Sequence, residues 1–157
     1  MNNITSTEEK TVKSLKPYRR QAMYYETDKM AVIHHSNYIR WFEEARIDYL
    51  EQIGLGYDKI EAAGIYSPVL GITCEYKSPV RFHENVLILP KLSFFNGIKM
   101  TIEYRVLDAK TGQVRVVGES KHCFVTTEFK PVSLKKEYPA MYDILSRWTG
   151  VDILTEE

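Results

Sequence analysis

The sequence predicts an α+β domain in which one curved antiparallel sheet wraps a single long helix, with a short helix near the C-terminus. A helix-period apolar stripe, too wide for an ordinary surface helix, runs from Tyr38 to Ile53. Beyond Gly64 about sixty residues alternate with the period of strands. Glycine-bearing turns punctuate that stretch, so successive strands join largely as hairpins, and the simplest compact solution is a sheet curled around the helix.

In chain order, Tyr18 to Tyr25 is rich in aromatic residues and bounded by Pro17 and Glu26-Thr27-Asp28, which reads as a first strand. A short apolar loop follows. Ser36 or Asn37 caps the helix, on which Tyr38, Trp41, Phe42, Ala45, Tyr49 and Ile53 fall within an arc of about 120° at 100° per residue. Ile39 and Leu50 widen the stripe, and Gly54 suits a left-handed C-terminal cap. Val69 to Tyr76 reads as a strand, as does Val86 to Phe94, in which Pro90 argues for an edge or an irregularity. Asn96-Gly97 suits a type I′ hairpin leading into Ile98, Met100, Ile102, Tyr104 and Val106, which alternate with Lys99, Thr101, Glu103 and Arg105. A turn over Asp108 to Gly112 leads to Val114 to Thr127, where the apolar parity slips near Gly118 and suggests a bulge. Pro139 opens a helix with Met141, Ile144, Leu145 and Trp148 at i, i+3, i+4 and i+7.

The 157 residues suit one domain, expected over 17–150, with a mobile polar tail at 1–16 and an acidic tail at 151–157. Lys plus Arg and Asp plus Glu balance at 21 each, which removes the cationic excess that a phosphate-coating nucleic-acid binder needs. No apolar run approaches the roughly 20 residues of a bilayer span, and the first sixteen residues lack a secretory apolar stretch, so the expected location is cytoplasmic. Cys74 and Cys123 allow at most one bridge and read as buried thiols.

For chemistry, there is no G-x-S-x-G elbow, and His122-Cys123 cannot form a dyad on a strand because neighbours face opposite ways. His34 and His35 lie near Asp28, but no H-x-x-x-H or C-x-x-C spacing completes a metal site, so none is expected. The segment Tyr25 to Tyr38 is different. It places the Asp28 carboxylate in the loop just before the N-terminus of a largely buried helix, where free N–H groups and the positive end of the dipole favour an oxygen that gains negative charge. Base or nucleophile and oxyanion donor, the parts of an acyl-transfer site, thus fall within ten residues. A turn role for Asp28 is the plainer alternative.

This stretch, with Thr27-Asp28, then Asn37-Tyr38 nine and ten residues after the aspartate, then Trp41-Phe42-Glu43-Glu44-Ala45-Arg46, resembles the signature of hotdog-fold acyl-CoA thioesterases of the 4-hydroxybenzoyl-CoA thioesterase type. A histidine at position 35 is similar to their Tol-Pal-associated branch. The likeness runs from about Tyr18 to Trp148 and includes Pro68 to Pro79. It implies a helix wrapped by its sheet, two protomers pairing into a continuous sheet as a dimer or tetramer, and active sites at their interface.

The resemblance implies hydrolysis of an acyl-CoA thioester, with Asp28 attacking the carbonyl or activating water, and with the His35 N–H as oxyanion donor. His35 is the second catalytic candidate through its side chain. Asn37 caps the helix or contacts substrate, and the Tyr38 hydroxyl is a candidate for the acyl pocket. Where the family carries a basic cluster for the CoA phosphates, Asn96-Gly97-Ile98-Lys99 offers one cation, so Lys99, Lys77 and Arg81 are the candidates. CoA is part of the substrate and no cofactor is expected; an acyl carrier protein is an alternative pantetheine donor. Glu43 and Arg46 read as a structural ion pair. An enoyl-CoA hydratase is a weaker reading, because its histidine falls five residues after the aspartate, whereas His34 and His35 lie six and seven away. A non-catalytic acyl-CoA-binding or acyl-carrier-binding module is the alternative outside enzymes.

Overall fold

The computed structural model describes residues 15–155. Residues 1–14 of the expected N-terminal tail and 156–157 of the acidic tail lie outside them. Five strands form one antiparallel sheet in the order β1-β4-β5-β6-β3: β1 Tyr18–Gln21, β3 Val69–Tyr76, β4 Asn85–Phe95, β5 Lys99–Asp108 and β6 Val114–Cys123. Two short strands, β2 Ile65–Tyr66 and β7 Val125–Thr126, pair separately. Helix α1, Ser36–Gln52, lies in the concave face; α2 (Tyr57–Ala62), α3 (Leu134–Glu137) and α4 (Pro139–Trp148) close the ends. This is the hotdog arrangement.

The α1 stripe is buried as its periodicity requires: Tyr38, Trp41, Phe42, Ala45 and Tyr49 are at most 3% exposed. Each large side chain so buried contributes about 1.5–3 kcal/mol. Phe42 stacks on Tyr104 of β5 with centroids 4.4 Å apart and planes 6° from parallel. The helix comes this close because Gly118 lies beneath it. A Cβ there would stand 2.4 Å from the Thr73 carbonyl oxygen and 2.7 Å from Phe42. Past its last turn, Gly54 at φ +92° reverses the chain.

Several local expectations change. The first strand stops at Gln21, and Tyr24–Glu26 form a 3-10 turn, because the Glu26 carboxylate folds back to accept the Met23 N–H. The Asn96-Gly97 turn is not type I′: only Gly97 has a positive φ, +89°, and Asn96 Oδ1 instead accepts the N–H groups of Ile98 and Lys99. Gly118 carries no bulge, since Tyr104 pairs with Gly118 and Glu103 with Glu119 in unbroken register; the irregularity lies between Val106 and Leu107. The apparent slip arises because the buried positions Ser120 and His122 are polar. Pro90 is tolerated because β1 reaches only to Ile88, leaving that end of β4 paired on one side. The chain after α4 returns there: the Gly150 N–H donates to Leu92 C=O at 2.7 Å, Lys91 pairs with Asp152 at 3.2 Å, and Ile153 is 3% exposed.

Candidate active site

The segment from Glu26 to His34 closes as a small hairpin. Thr27 bridges to Ile33, the Asp28 N–H donates to Val32 C=O at 2.9 Å, and the His34 N–H donates to Glu26 C=O at 2.8 Å. Ala31, at φ +62°, makes the reversal, an uncommon conformation for a residue with a Cβ. Asp28 starts the turn and is half-buried; its Oδ1 accepts the Met30 N–H at 2.8 Å. One carboxylate oxygen is thereby fixed, and the other has no hydrogen-bond partner among the described residues.

At the far end of the hairpin the helix begins. The capping acceptor is neither Ser36 nor Asn37 but the His34 ring: its Nδ1 accepts the Ser36 N–H at 3.2 Å and lies 2.8 Å from Ser36 Oγ. Asn37 serves as a tie, with Nδ2 donating to Glu26 C=O at 2.9 Å and to His34 C=O at 3.3 Å. The His35 N–H has no acceptor among the described residues, so the donor next to the positive end of α1 is available to an incoming oxygen. The exposed His35 ring stacks on His34 at 4.1 Å and meets Tyr76 edge-on at 6.1 Å. Tyr76 donates its hydroxyl to His35 C=O at 3.2 Å; burial, then its contact with Cys74, pushes its pKa up to about 12, so it remains a donor at neutral pH.

The sequence candidates thus divide. Asp28, His35 and Asn37 converge on one hairpin. Arg81 joins them through a bridge to Val32, and Lys77 follows Tyr76 on the same side, paired with Glu75 at 3.2 Å. Tyr38 sits beneath, 3% exposed, its hydroxyl accepting the Val80 N–H at 3.3 Å. Lys99 is elsewhere: it pairs with Cys123, whereas Tyr76 pairs with Val116, about 23 Å away along β6 in the same protomer.

Sequence reasoning missed a second polar cluster under the middle of α1. His122 is fully buried, its Nδ1 within 3.2 Å of Ser67 C=O and its Nε2 2.7 Å from Ser120 Oγ, which lies 2.7 Å from the Tyr104 hydroxyl. This assigns the proton to Nδ1. Arg46 Nη1 stands 3.0 and 2.9 Å from the two ring nitrogens, while its expected partner Glu43 is 3.9 Å away, so the helix arginine belongs chiefly to the histidine. Burial, reinforced by the Arg46 charge, pushes the His122 pKa down to about 4. Beside this cluster a mainly apolar cavity of about 420 Å³ opens between α1, α2 and the start of β3, with Ile47, Leu50, Tyr66, Val69 and Phe129 in its wall.

Comparison with known proteins agrees with this architecture. The description of the thioesterase-like superfamily matches residues 24–143. The acyl-CoA thioester hydrolase YbgC of Escherichia coli is 24% identical over 120-odd residues, covering 76% of this chain and 90% of that protein. The DHNA-CoA thioesterase of Staphylococcus aureus superposes with a TM-score of 0.79 at 31% identity, over 84% of this chain and 89% of the other. A Thermus thermophilus protein, TT1821, gives 0.78 at 30% identity, over 85% and 99%. With its sheet wrapped around a central helix and these similarities along most of its length, the chain belongs to the thioesterase-like superfamily and is a thioesterase.

Proposed function

We propose that the enzyme hydrolyses acyl-CoA thioesters to a carboxylic acid and free CoA, using Asp28 as nucleophile or general base and the His35 N–H as oxyanion donor. The observation that carries this is the hairpin that holds a half-free carboxylate at one end and an unpaired N–H at the other. One such donor is worth about 3 to 4 kcal/mol in the transition state. A leaving thiolate with an aqueous pKa of about 8.5 departs with little acid help, so one carboxylate suffices and the reading calls for no metal or cofactor. The acyl-CoA specificity is supported by the name of the Escherichia coli relative, and an aryl acyl group by that of the Staphylococcus aureus structure. His35 favours the Tol-Pal-associated branch of the 4-hydroxybenzoyl-CoA type, acting in the cytoplasm.

The acyl group is assigned to the cavity by way of a homodimer. Strand β3 ends the sheet, and Val69, Leu70, Ile72 and Tyr76 on it are 37–55% exposed. Two copies pairing antiparallel along this edge bring the Tyr76 end of one, with its His35, to the Val69 end of the other, where the cavity opens. Within one protomer the cavity lies about 16 Å along α1 from its start, so the pairing shortens the path. Lys77 and Arg81 are the nearest candidates for the CoA phosphates.

The test is thiol release from short, long and aromatic acyl-CoAs and an acyl carrier thioester, with Asp28→Asn beside the parent. The variant is expected to lose at least 100-fold in kcat with its fold and dimer intact; retained turnover would overturn the role of Asp28. Single-turnover hydrolysis in labelled water addresses the mechanism: label in Asp28 supports attack by the carboxylate, with water opening the mixed anhydride at the Asp28 carbonyl, and its absence favours base action.

A further inference from the structure

Two residues before Asp28, Glu26 is 4% exposed. A carboxylate taken so far from water is strongly destabilising unless its lone pairs are met. Here all are. Oε1 accepts from Arg20 Nη1 at 2.9 Å and from the Met23 N–H at 3.0 Å; Oε2 accepts from Arg20 Nη2 at 3.0 Å and from Trp41 Nε1 at 2.8 Å. Arg20 then reaches Glu44 on the outer face of α1 at 3.2 Å and lies over the Trp41 ring at 5.4 Å.

The backbone of Glu26 is equally engaged. Its carbonyl accepts the His34 N–H, adjacent to His35, and the Asn37 side chain. One residue therefore ties the Asp28 strand of the hairpin to the His35 strand and clamps both to β1 and to the second turn of α1. An apolar residue would fill the space without the desolvation cost. What the carboxylate adds is a four-bond registration of the hairpin on the helix, and with it the spacing between a carboxylate and an N–H that must reach one carbonyl group from two directions.

We infer that Glu26 is a positioning residue for the reaction, setting Asp28 against the His35 N–H through Arg20 and Trp41. The inference rests on the catalytic reading of Asp28. Glu26→Gln keeps the shape but turns one acceptor oxygen into a donor facing donors. It is expected to lower kcat at least tenfold while KM changes less than twofold, measured on protein shown folded and dimeric. Because the effect acts through Asp28, Glu26→Gln adds no further loss on an Asp28→Asn background. Glu44→Gln leaves the four bonds in place and retains the parental kcat. If Glu26→Gln does not fold, Trp41→Phe, which removes one of the four bonds, carries the same test: a smaller fall in kcat, absent on the Asp28→Asn background. Unchanged kcat in Glu26→Gln with an inactive Asp28→Asn overturns the positioning role alone. Losses that multiply in the double variant overturn it in favour of a general structural role. Full turnover by Asp28→Asn overturns the Asp28 reading, and the positioning role with it.

Discussion

His122 and Asp108 give the protein two separate responses to acid. His122 is neutral when folded, its pKa pushed down to about 4 from 6.5 first by burial and then by the Arg46 charge. Between these values the unfolded chain binds a proton that the native state refuses, so stability is highest above pH 6.5 and falls as the pH drops toward 4. The loss amounts to about 3 kcal/mol at its limit. His122→Asn is expected to flatten Tm against pH over this window; an unchanged slope would assign it elsewhere. The Asp108 carboxyl is held well below the usual carboxylate range by its hydrogen bond to Arg115, 2.9 Å away, and by the N–H groups of Thr111 and Lys110. Its contribution is present above the unfolded pKa of about 3.9 and disappears as the pH falls further. Asp108→Asn should therefore lower Tm at pH 7 and narrow its gap to the parent below pH 3.

At the scale of elements, the contact of α1 with the sheet turns on one missing side chain. Gly118→Ala forces its Cβ against the Thr73 carbonyl, part of a backbone that cannot step aside, and against Phe42. We expect a loss of at least about 2 kcal/mol, read as a lower urea midpoint at unchanged m-value. The sequence carried no sign of this approach, and the same strand shows why. Regular alternation in β6 is disguised because Ser120 and His122 point inward, and what satisfies them, Arg46 and Tyr104, lies far away in the chain. By contrast α1, β3 and α4 were legible nearly to the residue, since a wide apolar stripe, a bounded apolar run and a proline start are local signals. The candidate site divides along the same line. That Asp28, His35 and Asn37 lie together was legible from spacing and family likeness, although Asn37 is a tie and not the expected cap. Glu26 reads in the sequence only as part of the polar boundary of the first strand, because its partners Arg20 and Trp41 are six and fifteen residues off and nothing local announces a buried carboxylate.

For the whole molecule, the proposed dimer makes activity depend on an edge that a single protomer leaves open. Replacing Leu70 and Ile72 together by Glu puts like charges opposite one another across a two-fold axis. Light scattering is expected to show a monomer, with kcat/KM down at least 100-fold although Asp28 and His35 are untouched. A fully active monomer would return the acyl group to the same protomer as the Asp28 that the proposal pairs with it.

The two borders of the sheet are unlike. On one side the outermost strand has four residues, and the chain beyond Trp148 lies along the neighbouring stretch of β4, where the Gly150 N–H occupies the Leu92 carbonyl that another strand would seek and Asp152 pairs with the Lys91 side chain. The other side presents eight residues of β3. Such a sheet has a valence of one. Once two copies have joined through their long borders, neither keeps a comparable border to offer, so growth by strand addition terminates at a pair instead of continuing into a fibre.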